Sequence, residues 1–214
     1  MAHGSVRRWS PGLYDWRKGF ATTAIEAVQD EIDRRLCDTV NVSPKDRTPN
    51  GIRRWLDEAT KIGGEAMWGQ PNTENHGIYA RLQLQSKFVL KVLGFHLDSI
   101  EGSVVKHPGF PVGALAMAAA AVERAFEHFI NRKSKKENPP PFSARLNRDL
   151  TVKWRNTAVA DLLKHPRRLE ELMECAEGYM ANHKPSARDY TNLGASRMYR
   201  REPMSSSDPA RPEE

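Results

Sequence analysis

The sequence predicts an all-α fold: a compact bundle of five or six helices over roughly residues 19–181, with a basic N-terminal arm and a disordered C-terminal tail. Three observations carry that expectation. Apolar residues recur at steps of three and four through several stretches, as one buried helix face requires. The run "FPVGALAMAAAAVERAFEHF" (110–129) is dense in strong helix formers. No alternating apolar–polar run is long enough to argue for a sheet. The 214 residues suit one domain with tails.

Residues 1–18 read as an aromatic, basic arm, with Trp9, Tyr14 and Trp16 among Arg7, Arg8, Arg17 and Lys18. A helix over 19–40 follows, with Ala21, Ile25, Val28, Ile32, Leu36 and Val40 on one face. "NVSPKDRTPNG" (41–51) is a connector. In it Thr48 serves as N-cap and Pro49 takes the first helical position, where a missing N–H costs nothing. The second helix carries Ile52, Trp55, Leu56, Ala59 and Ile62, up to a break at Gly63-Gly64.

After a loop at 68–77, a third helix is expected from Ile78 to Ile100, in which Gly94 marks the close approach of another helix. The alanine-rich helix runs from about Pro111 to Arg132. Its small side chains let neighbouring backbones come close, which makes it the central helix. The proline-broken stretch 131–147 is a basic linker inside the domain. Two further helices are expected at about 148–163 and 167–180, with Pro166 in the first turn of the last. Residues 182–214 lack apolar periodicity and compose a disordered tail.

Hydrophobic residues are 39% of the chain and charged residues 28%, which fits a compact core with polar appendages. The two cysteines, Cys37 and Cys175, stand far apart, which excludes a zinc cluster or a disulfide framework and favours a reducing compartment. The first residues show no apolar run behind their arginines, so no secretory signal is expected. The uncharged part of the alanine-rich run ends at Val122, well short of the about 20 residues a bilayer requires. An intracellular protein of nucleus or cytoplasm, without membrane contact, is the expectation.

Local signatures of chemistry are weak. Glu123, Glu127 and His128 miss the Glu-x-x-His step that puts two metal ligands on one helix face. His96 sits in an apolar stretch and reads as a core or boundary histidine, and Cys37 as a buried thiol. No GxSxG, GxGxxG or GxxxxGK[ST] is present. The sequence therefore assigns no catalytic residue, no cofactor and no metal, and it leans against an enzyme.

Charge is more informative because it is concentrated. Residues 131–156 hold eight bases, Arg132, Lys133, Lys135, Lys136, Arg145, Arg148, Lys153 and Arg155, against Glu137 and Asp149. With Trp154 among them, such a segment could meet phosphates and stack a base.

The segments "HPGFPVGALAMAAAAVERAF" (107–126) and "PPPFSARLNRDLTVKW" (139–154) carry a resemblance. Over about residues 81–180 the chain is similar to an uncharacterised helical domain family, of unknown function and abundant in mushroom-forming (basidiomycete) fungi. The resemblance implies a helical fold and an intracellular fungal protein, and it transfers no catalytic residue.

The leading functional reading is an intracellular interaction domain that binds a protein partner or a second copy of itself. Its anchors would be Trp9, Tyr14 and Trp16, since aromatics dominate interface energetics. The alternative is nucleic-acid binding through the basic segment 131–156 and Trp154. A second alternative is an enzyme in which His96, Glu123 or His128 converge with another titratable group.

Overall fold

The computed structural model describes residues 12–71, 81–101, 109–132, 137–139 and 141–180. All belong to one compact unit, Met1–His183; a second unit, Lys184–Glu214, lies outside the described residues, as does the expected tail. The described residues form an all-α bundle with one small hairpin.

Helix α1 (Gly12–Cys37) buries Phe20, Thr23, Ala24, Ala27, Val28, Glu31 and Ile32, alternating steps of three and one down a single face. It begins seven residues before the expected boundary and absorbs the end of the expected arm. The cause is long-range: Trp16 Nε1 donates to His96 Nδ1 at 3.2 Å, and the indole stands edge-on to Phe20 with centroids 4.9 Å apart. The helix ends three residues before the expected boundary, which leaves Val40 beyond it and exposed, and Leu36 and Cys37 in its last turn are exposed rather than buried.

Helix α2 (Pro49–Ala59) opens as the sequence indicates, with Gly51 N donating to the Thr48 hydroxyl at 3.1 Å and Pro49 in the first turn. It stops at Ala59. Gly63, at φ 84°, then turns the chain in a conformation that side chains resist, and Ile62 is left 97% exposed instead of joining the core.

The expected third helix is shorter than its composition implies. Strands β1 (Trp68–Gln70) and β2 (Arg81–Gln83) pair antiparallel, with Trp68 opposite Gln83 and Gln70 opposite Arg81. Leu82 and Leu84 take positive φ (61° and 65°), at about 1–3 kcal/mol each for non-glycine residues. Tertiary bonds hold them there: Leu84 N donates to Met67 O at 2.7 Å, and the buried Ser86 hydroxyl donates to Ala66 O at 2.7 Å. Ser86 also caps α3 (Lys87–Ile100) by accepting from Val89 N, so the helix starts nine residues after Ile78.

Helix α4 (Val112–Asn131) is the hub that its alanines foretell. Ala114, Ala116, Ala118, Ala119, Ala120, Ala121 and Ala125 are buried around several sides, and α4 packs against α1, α2, α3 and α5. Helix α5 (Ala144–Trp154) starts four residues before expectation because Ser143 caps it. It runs through a π-helical turn (Arg155–Val159) into α6 (Ala160–Leu162). Helix α7 (Pro166–Met180) then packs on α3. A Cβ at Gly94 would sit 3.0 Å from Ala176 O and 2.9 Å from Tyr179 Cβ, which is the close approach expected there.

Candidate interaction surface

Helix α5 is clamped to α4 by a charged pair that the sequence places side by side. Glu123 accepts from Trp154 Nε1 at 2.5 Å and from Lys153 Nζ at 3.2 Å. Arg124 donates to Asn147 Oδ1 and, at 3.3 Å, to Pro141 O, while its guanidinium lies 5.7 Å from the centre of the Phe142 ring. Burial lowers the Arg124 pKa, opposed by the nearby Glu127 charge. Asn147 is buried, and its amide also donates to Ser143 O at 2.7 Å. These contacts fix the roll of α5 about its axis.

What then points outward is basic and partly apolar. Arg145, Arg148 and Val152 follow at steps of three and four and are exposed, as is Arg155 one turn on. Leu146 is 58% and Val152 44% exposed. None of Arg145, Arg148 and Arg155 has a carboxylate within ion-pair distance among the described residues. Asp149 is the exposed acid of the same helix. π-helical turns occur often at functional sites, and this one sits at the end of the basic surface.

The other expected site residues divide. Trp154 turns inward to Glu123, so its indole is not offered to a base, and Lys153 is spent on the same carboxylate. Arg132 is half-buried at the end of α4, over the Phe129 ring at 4.5 Å. Lys133, Lys135 and Lys136 lie outside the described residues, as do Trp9 and the Tyr14 side chain. Trp16 is packed within the bundle, so it cannot be an anchor on a free arm.

The three residues of the enzyme reading stand in separate settings. His96 is buried, receives the Trp16 indole and packs beside Phe20 at 5.9 Å; burial lowers its pKa. Glu123 serves the α5 clamp. His128 lies beside the Phe129 ring at 5.3 Å, its pKa lowered first by burial and then by Arg132, against Glu137. No group of three or more His, Cys, Asp or Glu able to hold a metal occurs among the described residues. No helix among them is long and apolar enough to cross a membrane.

A second charged centre had no forecast. Glu31, 5% exposed, accepts from Arg34 Nη2 at 2.7 Å, Arg35 Nε at 2.8 Å and Lys87 Nζ at 2.5 Å. Arg35 also reaches Glu65 at 2.8 Å and lies 4.4 Å over the Trp55 ring, whose Nε1 donates to Glu65. Burial raises the Glu31 carboxyl, but the bonds from Arg34 and Lys87 and the charges of Lys87 and Arg35 prevail and hold it at about 2. Only the spacing of Glu31 to Arg34 and Arg35 could have signalled this cluster. With every cation matched, it serves to lock α1 to α3 and to the Glu65 turn.

No protein-family model matches the chain, and no curated protein or solved structure is significantly similar to it.

Proposed function

We propose that the chain is an intracellular interaction domain, in nucleus or cytoplasm, that binds an acidic protein partner through the outward face of α5. It would belong to the helical family of unknown function that residues 81–180 resemble. One observation carries the reading: three exposed arginines without carboxylate partners among the described residues share α5 and the first residue of the π-helical turn that continues it with exposed Leu146 and Val152. Arginine beside apolar side chains is an interface composition, whereas a purely solvating face would be polar throughout. The reading places the contact on α5 rather than on the aromatic arm because Trp16, the described side chain among the three expected anchors, is packed in the bundle.

Nucleic acid is the second reading, supported by the same arginines. It is weaker because Trp154, the base-stacking candidate, already serves Glu123. Site-specific photocrosslinking separates the two. A photoreactive residue at Leu146 should form adducts with protein, and one at the exposed Ile62 should not. Adducts of nucleic acid from position 146 would favour the second reading, and matching adducts from both positions would remove the α5 surface altogether.

A further inference from the structure

Beside the outward face of α5 lies a cavity of about 230 Å³ between the start of α1, the middle of α4 and α5. Met117, Phe142 and Val152 supply apolar wall, and Arg17 and Arg148 line it together with Thr151. The other polar walls are occupied: Asn147 by Arg124 and Ser143, and the Ser143 hydroxyl by the α5 cap. Neither Arg17 nor Arg148 has a carboxylate partner among the described residues. Two arginines without carboxylate partners among the described residues, lining a cavity with an apolar wall, suit an anion with an apolar body, because water alone satisfies the charges but not the wall.

Size narrows the class. An apolar cavity of roughly 150 Å³ holds a benzene ring, and drug-sized ligands need roughly 300 Å³ or more. This cavity suits one ring or a short alkyl chain bearing a single charged group. Planar, forked guanidinium donors match a carboxylate.

We propose that the cavity lined by Arg17, Met117, Phe142, Arg148, Thr151 and Val152 is a binding site for a small aryl or alkyl carboxylate. The site shares Arg148 and Val152 with the outward face of α5, but it goes beyond the partner-binding reading and does not rest on it. Phe142 lines this cavity and also a much smaller one formed with Ala21, Ile25 and His128.

The test is a methyl NMR titration of the full chain, read at Met117 and Val152. The probes are 3-phenylpropionate, its neutral analogue 3-phenylpropan-1-ol, and inorganic phosphate. The acid should shift both methyl signals at millimolar concentration and bind about tenfold more tightly than the alcohol. In Arg17→Gln/Arg148→Gln the acid should fall to the alcohol's affinity, while Arg53→Gln, an exposed position on α2 outside the cavity, leaves it unchanged. The alcohol's retained binding in the double variant certifies an intact cavity. Three results would overturn the assignment: no methyl shift with the acid, equal binding of acid and alcohol to the unaltered protein, or phosphate shifting the same methyls as effectively as the acid.

Discussion

Replacing Glu31 by glutamine removes one charge from the centre of the α1–α3 contact and little else. The carboxyl is held at about 2 against an ordinary 4.5. That difference corresponds to about 3 kcal/mol of folding free energy at neutral pH. Arg34 and Lys87 are half-exposed and regain water when the carboxylate is lost, which trims the expected cost to about 2 kcal/mol. The sign follows from a folded value below the unfolded one. The stabilisation is complete above pH 4.5 and disappears as pH falls toward 2. Urea denaturation of both proteins should show the full gap at neutral pH and a closing gap through that acid window. A chain of this size should lose about 4–8 °C in Tm at neutral pH. A cost below about 0.5 kcal/mol, or a gap that persists unchanged at the acid end, would refute the claim that the cluster holds α1 to α3.

Other outcomes follow from single contacts. His96 titrates below its ordinary 6.5 because it is buried, so stability should be complete above that value and decline as pH drops through the lower folded one. His96→Gln should flatten this slope in thermal melts, leaving the part due to His128, and an unchanged slope would exclude the role. Gly94→Ala should destabilise by about 1–3 kcal/mol in denaturant titrations, because the contact with the Ala176 carbonyl outweighs the roughly 1 kcal/mol of helix preference that alanine adds. If Arg145, Arg148 and Arg155 neutralise three phosphates, binding to single- or double-stranded DNA should fall with salt at a log–log slope near −2 to −3. Loss of that slope in the three-glutamine variant would promote the nucleic-acid reading, whereas absence of binding at low salt retires it.

Where local chemistry decides, the chain was legible. The alanines of α4, the Thr48-Pro49 cap, Pro166 at the head of α7 and the glycine at 94 each act as their side chains dictate. Where partners lie far apart in sequence, it was not. Trp16 leaves the arm because His96, eighty residues on, accepts its N–H. Leu82 and Leu84 are good helix formers set in left-handed backbone, because Ser86 is tied to Ala66 and Leu84 to Met67 across the hairpin. The concentration of arginine on α5 was visible as charge. That Trp154 faces Glu123, thirty-one residues earlier, was not, because an aromatic among bases looks the same whether it stacks on a ligand or anchors its own helix.

The partner surface on α5 is tested most directly by quantitative affinity capture with the unaltered chain and with Arg145→Gln/Arg148→Gln/Arg155→Gln, each with and without nuclease. These side chains are exposed, so the variant should melt as the original does. A protein should be held by the original, undiminished by nuclease and lost with the variant. Capture that the three substitutions leave intact, or that nuclease abolishes, would contradict it.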